Sequence, residues 1–268
     1  MKDYRLAIGL NDCNRLQMLN EIYNPSSLAF LQKHVLCNQP PASILEIGCG
    51  HGHMTCILAK ALTPHGGEVI GRDISESQLE IARETARKNN LRNISFECSD
   101  VSIKADITGC FDCTYSRFLL MHLHDRIDAL KFISESLSEN GISIFEEPCL
   151  SSQFCHPYFP EFYEANALTI KLGEKLNLNY NNPVSLLDEI SKLYHIEAIN
   201  VSQPILATAE HKKIIYESFN QISMDLLSHA LCSEADVHRI AESLYSFSCS
   251  LDGFAAGLRV LQVKARRK

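Results

Sequence analysis

Three carboxylates spaced around a run of glycines are the residues of this chain best placed for chemistry. Glu46 stands two positions before Gly48, and the run Gly48-Cys49-Gly50-His51-Gly52 follows it. Asp73 and Asp100 come later, each at or just after the end of a short β-forming run. A glycine turn between a strand and a helix lets bare backbone approach a ligand closely. The dinucleotide pattern G-x-G-x-x-G would need its third glycine at position 53, which is His53. A carboxylate at Glu46 would also repel a diphosphate and attract a ligand carrying positive charge.

The elements that must hold these residues alternate in type. Ser43–Ile47, 68–71, Ile94–Cys98, 111–115 and 142–145 read as strands, rich in β-branched or aromatic residues. Between them lie helical patterns: Met54, Ile57, Leu58 and Ala61 share one face, and Leu79, Ala82 and Ala86 another. Ser75 and Gln78 have capping-box spacing, and Asp125 can cap a helix carrying Leu130, Ile133 and Leu137. Asn140-Gly141 is expected to supply that helix's left-handed exit. Strands alternating with helices imply an α/β fold, a doubly wound, mostly parallel sheet binding ligands beyond its strands' carboxyl ends. After Pro148 the rhythm changes. Residues 151–182 hold aromatics and prolines, 185–194 a short helix, 196–201 a strand, 210–247 helices, and 254–263 a closing strand.

Glu46, the three glycines, Asp73 and Asp100 together resemble the nucleoside site of the class I S-adenosylmethionine-dependent methyltransferases, and most closely the bacterial small-molecule group related to quinone biosynthesis. The resemblance covers residues 40–148 and implies a Rossmann-like sheet of seven strands with helical lid insertions. It assigns Asp73 to both ribose hydroxyls, Asp100 to the adenine amino group, and Glu46, Gly48, Cys49, Gly50 and Gly52 to the turn around the donor. Ile74 and Val101 adjoin the two acids, and Ser116 and Arg117 correspond to backbone facing the donor's methionine end. Arg72 departs from the family's usual apolar residue and is expected to pair with an acidic neighbour. The implied cofactor is S-adenosyl-L-methionine, with S-adenosyl-L-homocysteine as product.

Methyl transfer from a sulfonium depends mainly on alignment and water exclusion. The chain is therefore divided into an N-terminal helical segment (1–40), a cofactor core (41–150), a lid insertion (151–195) and last strands with a helical insertion (196–268), all in one domain. Gln17 and Tyr23, on the N-terminal segment, are candidates to close over the donor. Tyr158, Phe159, Phe162 and Glu146 are candidate pocket walls, although packing within the insertion explains the aromatics equally well. For a hydroxyl acceptor, His122 and Glu147 are the candidate bases at the sheet's ligand edge. Cys110-Phe-Asp-Cys113 is a single C-x-x-C, and no spacing supplies the two further ligands zinc needs, so no metal is expected.

Bulk properties narrow the rest. The 268 residues are 46% hydrophobic with net charge −7, and no basic stripe precedes Lys264, Arg266, Arg267 and Lys268. That tail is expected to be a solvated end, and the charge balance argues against nucleic acid. No apolar run nears the roughly 20 residues of a membrane span. The eleven scattered cysteines, without an export signal, suit reduced thiols in a cytoplasmic protein, monomer or homodimer. The expected partner is a small-molecule acceptor. Alternatives are a protein-directed methyltransferase, a non-catalytic S-adenosylmethionine-binding protein and, less suited to Glu46 and His53, an NAD-dependent oxidoreductase.

Overall fold

The computed structural model describes residues 13–101, 111–181 and 183–268. Cys110 and the first twelve residues lie outside them. Five strands run β1 (Ser43–Ile47), β2 (Glu68–Asp73), β3 (Ile94–Cys98), β4 (Phe111–Arg117) and β5 (Leu137–Cys149), with α-helices between β1 and β2, between β2 and β3, and between β4 and β5. Together with β7 (Tyr194–Ser202) and β10 (Arg259–Arg267) they form a seven-stranded sheet of order β3-β2-β1-β4-β5-β10-β7. β10 alone runs antiparallel to its neighbours β5 and β7. Short strands β6 (Phe154–His156), β8 (Ile205–Leu206) and β9 (Phe254–Ala256) make a separate three-stranded sheet.

Parallel register brings the chemistry to one edge. Ile47 lies level with Arg72 and with Ser116, and Arg72 with Glu97. The residues that leave these strands, Gly48, Asp73 and Arg117, therefore emerge together. Side chains alternate across the sheet. Ile44, Cys113, Tyr115 and Ile144 face a core with Leu58, Leu62, Phe30 and Leu31. Leu45, Ile47, Phe145 and Val263 face the other way, onto Leu130, Ile133 and Ile190.

The helices are α1 (Cys13–Leu31), α2 (His53–Leu62), α3 (Glu76–Lys88), α4 (Arg126–Glu135), α5 (Pro160–Lys175), α6 (Pro183–Leu193), α7 (Ala209–Ser228) and α8 (Glu234–Cys249). Ser75 caps α3 by accepting from the Gln78 amide at 3.4 Å, but the reciprocal bond of a capping box is missing and the buried Gln78 Oε1 has no protein partner. The complete capping box is at Ser233 and Asp236, starting α8. Asp125 caps α4 as expected, through the Asp128 amide.

Several expectations change. α1 carries Pro25 within it and is followed by a π-helical turn to Leu36. Leu137 and Asn140-Gly141 belong to β5, not to the helix and its exit. Gly141 answers a steric need instead, since a Cβ there would sit 2.9 Å from both Leu137 and the Phe111 carbonyl. The expected closing strand over 254–263 is two strands in different sheets. The basic tail is mostly the end of β10, where Lys264 and Arg266 both pair with Glu197. Finally, α6 lies within the expected lid but packs on the sheet beside α4. The layer over the carboxyl edge is built from α1, α5, α7 and α8, whose buried faces share Met18, Ile22, Phe162, Leu168, Phe219 and Leu244.

Candidate active site

A cavity of about 520 Å³ opens where the parallel strands end, under that helical layer. Its floor is the glycine turn. Gly50 has φ +52° and a Cβ added there would meet nothing within 4 Å, so bare backbone faces open space. Gly52 has another task. It does not line the cavity, and at φ +69° it caps α2 where a Cβ would clash with Ala82 and Phe96 at 2.8–2.9 Å.

Of the residues expected at the donor site, Glu46, Gly48, Cys49, Gly50, Asp73, Ile74, Asp100, Val101, Arg117 and Tyr23 all line this one cavity. The Asp73 carboxylate is held by the amides of Gly50 and Ser75, each at 2.9 Å. Burial nevertheless raises its pKa, those amides pulling the other way. Glu46 is buried at the end of β1 and accepts the Thr55 hydroxyl at 2.5 Å. Burial lifts its pKa to about 7, with the Thr55 bond and Arg117 opposing the rise. Arg72 pairs with Glu97 at 2.8 Å, which accounts for a cation in a buried position.

Arg117 turns upward from β4 and ties down α1. Its guanidinium donates to Asn20, Asn24 and Ser27 at 2.8–3.0 Å, one polar ladder along the helix. Tyr23 packs edge-on against Phe118, and its hydroxyl accepts from the Leu258 amide at 2.9 Å, so it fixes α1 to the chain entering β10. Phe118 has φ +56°, a strained conformation for an aromatic residue that costs about 1–3 kcal/mol. The turn points its chain into the cavity wall, and the bond from its amide to the Glu146 carbonyl holds it there.

Other expected site residues stand elsewhere. Gln17 is on the outer side of α1 and bonds Glu21. Ser116 is buried in β4, away from the cavity lining. Glu146 is enclosed by Ser27, Tyr115 and Gln262, a buried network pinning α1 to the sheet. Glu147 accepts the amides of Leu119, Leu120 and Met121 at 2.9–3.1 Å and so shapes the turn after β4. Burial raises its pKa to about 7, the three amides opposing. Tyr158 is exposed, while Phe159 and Phe162 pack inside the helical layer: none of the three lines the cavity. His122 does line it, edge-on to Tyr180. Burial, then Arg15, pushes its pKa down to about 4, so it is a neutral imidazole and a weak base.

A helical lid was expected over the site, but most of the residues that line it were not. Arg15, Leu16, Leu19 and Asn20 of α1, Asn166 and Thr169 of α5, and Ile214, Ser218, Phe219 and Ile222 of α7 line the cavity's outer half. Their helical spacing was legible, but a face that walls a cavity has the same pattern as one that fills a core.

Residues 39–243 match a family of methyltransferase domains. The ubiquinone biosynthesis O-methyltransferase of Coxiella burnetii is 29% identical over 135 residues, 50% of this chain and 54% of that protein. The chain thus spans about half the length of the curated relatives it matches. The YcgJ protein of Bacillus subtilis superposes with TM-score 0.60 at 15% identity, over 91% of this chain and 98% of that one. Coclaurine N-methyltransferase, solved with N-methylheliamine and S-adenosylhomocysteine, gives 0.57 at 16%, over 90% and 72%. At such identities the likeness is one of fold. The family match, the strand order and the acidic, glycine-floored cavity agree, and the chain belongs to the methyltransferase-domain family, in its class I S-adenosylmethionine-dependent form.

Proposed function

We propose that this protein transfers a methyl group from S-adenosylmethionine to a small-molecule acceptor held beneath the helical roof. The observation that carries this reading is the single cavity joining the acidic sheet edge to a mainly apolar outer half. The donor fits the inner half by the chemistry of its lining. Asp73 has lone pairs to spare for two ribose hydroxyls, and Asp100 with Ile74 and Val101 suits the adenine end. The backbone at Gly48–Gly50 admits close approach, and Glu46 suits the ammonium. Gln78, with an unpartnered Oε1 in the same lining, offers one further acceptor.

Bound there, the donor supplies an activated methyl on sulfur. The protein's own work is positioning: α1, clamped by Arg117 and Tyr23, holds the roof down and keeps water from the transfer. Orientation of this kind accounts for roughly 7–11 kcal/mol in well-aligned systems. The enclosed outer half favours a small molecule over a protein segment, which needs an open groove. Among the described residues no helix is long and apolar enough to cross a membrane. We place the protein in the cytoplasm, as a monomer or homodimer without nucleic-acid partners.

Calorimetry with S-adenosylmethionine, S-adenosylhomocysteine and NAD tests the reading. Micromolar-range binding of the first two and none of NAD is expected. The opposite preference would return the dinucleotide alternative. Donor binding without product from any metabolite panel would favour a non-catalytic role.

A further inference from the structure

Gln78 lines the cavity from the first turn of α3, is only 3% exposed, and holds a side-chain oxygen that nothing bonds. Its backbone is fixed. The Gln78 amide donates to the Ser75 carbonyl at 3.1 Å and to the Ser75 hydroxyl at 3.4 Å. One turn on, Ala82 packs so closely on the glycine turn that a Cβ at Gly52 would come within 2.8 Å of it. A helical side chain leans back toward the helix N-terminus, which here aims Gln78 at the loop after Asp73 and at the cavity that both residues line. A buried amide oxygen left unpaired is a cost to the folded protein. Kept in a ligand cavity, it points to a ligand group that satisfies it.

The place of α3 narrows which group that is. The acids stand along the sheet edge in the order Asp100, Asp73, Glu46, at or beyond the ends of β3, β2 and β1. Because α3 joins β2 to β3, Gln78 belongs to the Asp73–Asp100 side and not to the Glu46 side. The donor offers few hydrogens there: one on each ribose hydroxyl and two on the amino nitrogen of adenine. In the reading above Asp73 takes both hydroxyls and Asp100 takes one amino hydrogen. One hydrogen is left over.

Resting on that reading, we infer that the Gln78 side-chain oxygen accepts the second amino hydrogen, so that Gln78 makes the site selective for an aminopurine over an oxopurine. The last torsion of a glutamine side chain is soft, and a turn of the amide brings its oxygen to the base without moving α3. The bond counts for more than most. A ligand group usually displaces water from its protein partner, and the exchange nearly cancels. Gln78 Oε1 has no bond to give up. An oxopurine carries an acceptor where the amino group stands, and sets its oxygen against the oxygen of Gln78 with no hydrogen between them.

The test uses the full chain with two probes, S-adenosylhomocysteine and its deaminated analogue S-inosylhomocysteine, which has an oxo group in place of the amino group. Titration calorimetry on the wild type, with displacement for the weaker ligand, is expected to find the amino compound bound at least about tenfold tighter. In Gln78→Met, which keeps the length of the side chain and removes its amide, S-adenosylhomocysteine should weaken about fivefold or more. S-inosylhomocysteine should stay within about twofold or tighten, the mark of a contact with the amino group alone. Without ligand the variant, rid of the unpaired oxygen, should melt no lower than the wild type. Equal losses for the two probes overturn the inference, because they assign Gln78 to the ribose. Unchanged affinity for both, or no wild-type preference for the amino compound, overturns it too. Lower melting in both Gln78→Met and Gln78→Leu would show the oxygen already bonded in the empty protein and remove the premise. Failure of S-adenosylhomocysteine to bind the wild type would reject the methyltransferase reading itself, a result distinct from any of these.

Discussion

Two carboxylates in the cavity lining, Asp73 and Glu46, give the proposed donor site its sharpest tests. Asp73 has its carboxylate steadied by the Gly50 and Ser75 amides. Asp73→Ala is expected to weaken S-adenosylhomocysteine by about 1.5–3 kcal/mol, roughly ten- to a hundredfold, as charged hydrogen bonds are lost. Calorimetry reads this directly, and unchanged affinity would reject the assignment to ribose. Glu46 gives a pH signature. Its pKa of about 7 means that the empty site holds a protonated carboxyl below neutrality and a carboxylate above. Because the ligand's ammonium favours the ionised form, affinity should rise from pH 6 to 8, and Glu46→Gln should flatten that rise. An identical slope in both proteins would show that some other group titrates. The place of Asp73 at a strand end, facing the cavity, was readable from the sequence. The burial behind Glu46's raised pKa was not, because it depends on how the folded chain packs around the end of β1.

At the scale of elements, the turn after β4 and helix α1 carry the positioning. Glu147→Ala would leave one buried and two half-buried amides without an acceptor, a loss of about 1–3 kcal/mol in stability. Glu147→Gln separates shape from charge. A carboxyl with its folded pKa raised to about 7 binds its proton more tightly than the unfolded chain does. Its stabilisation is fully present below pH 4.5 and lost as the pH climbs to 7. Denaturant titrations should find wild type losing about 2–3 kcal/mol relative to the Gln variant between pH 5 and 8. No relative change would mean that Glu147 is ionised throughout. Arg117→Ala removes the bonds to Asn20, Asn24 and Ser27. Amides in 13–24 are then expected to exchange hydrogen at least tenfold faster, with those of β1 unchanged. Equal exchange would show that packing alone holds α1. Pro25 lies inside α1, where a proline removes one backbone hydrogen bond. The helix runs through it because apolar contacts on both sides, Ile22 and Tyr23 to α7 and Phe30 and Leu31 to the sheet, outweigh one missing amide bond.

For the whole molecule, the roof and the sheet are separate cores joined across the cavity. A ligand spanning both should stabilise the fold by RT ln(1 + [L]/Kd), about 2.7 kcal/mol at a hundredfold excess over Kd. The melting temperature with S-adenosylhomocysteine should rise accordingly, by some 5–10 °C for a chain of this size. A rise confined to exchange protection of the glycine turn, with none in α1, would mean that the roof does not close on the donor. The roof has its own fastening in Lys212, fully enclosed, which donates to the Ser250 carbonyl at 2.6 Å and lies 4.9 Å from the Phe247 ring centroid.

The strands, their parallel order and the three carboxylates beside a glycine bend were legible in the chain itself, since period-2 alternation, capping residues and turn glycines are local properties. Residues 40–148 are where such local signals dominate. The roof was decided only in three dimensions. Whether an apolar helical face fills a core or walls a chamber depends on what lies opposite it, and residues 15 to 23, 165 to 169 and 214 to 222 meet only after the chain has folded. The same holds for the aromatics that looked like pocket walls and for the glutamate that looked like a base. Each carries the right chemistry, and its neighbours, distant in sequence, assign it to packing or to backbone amides instead.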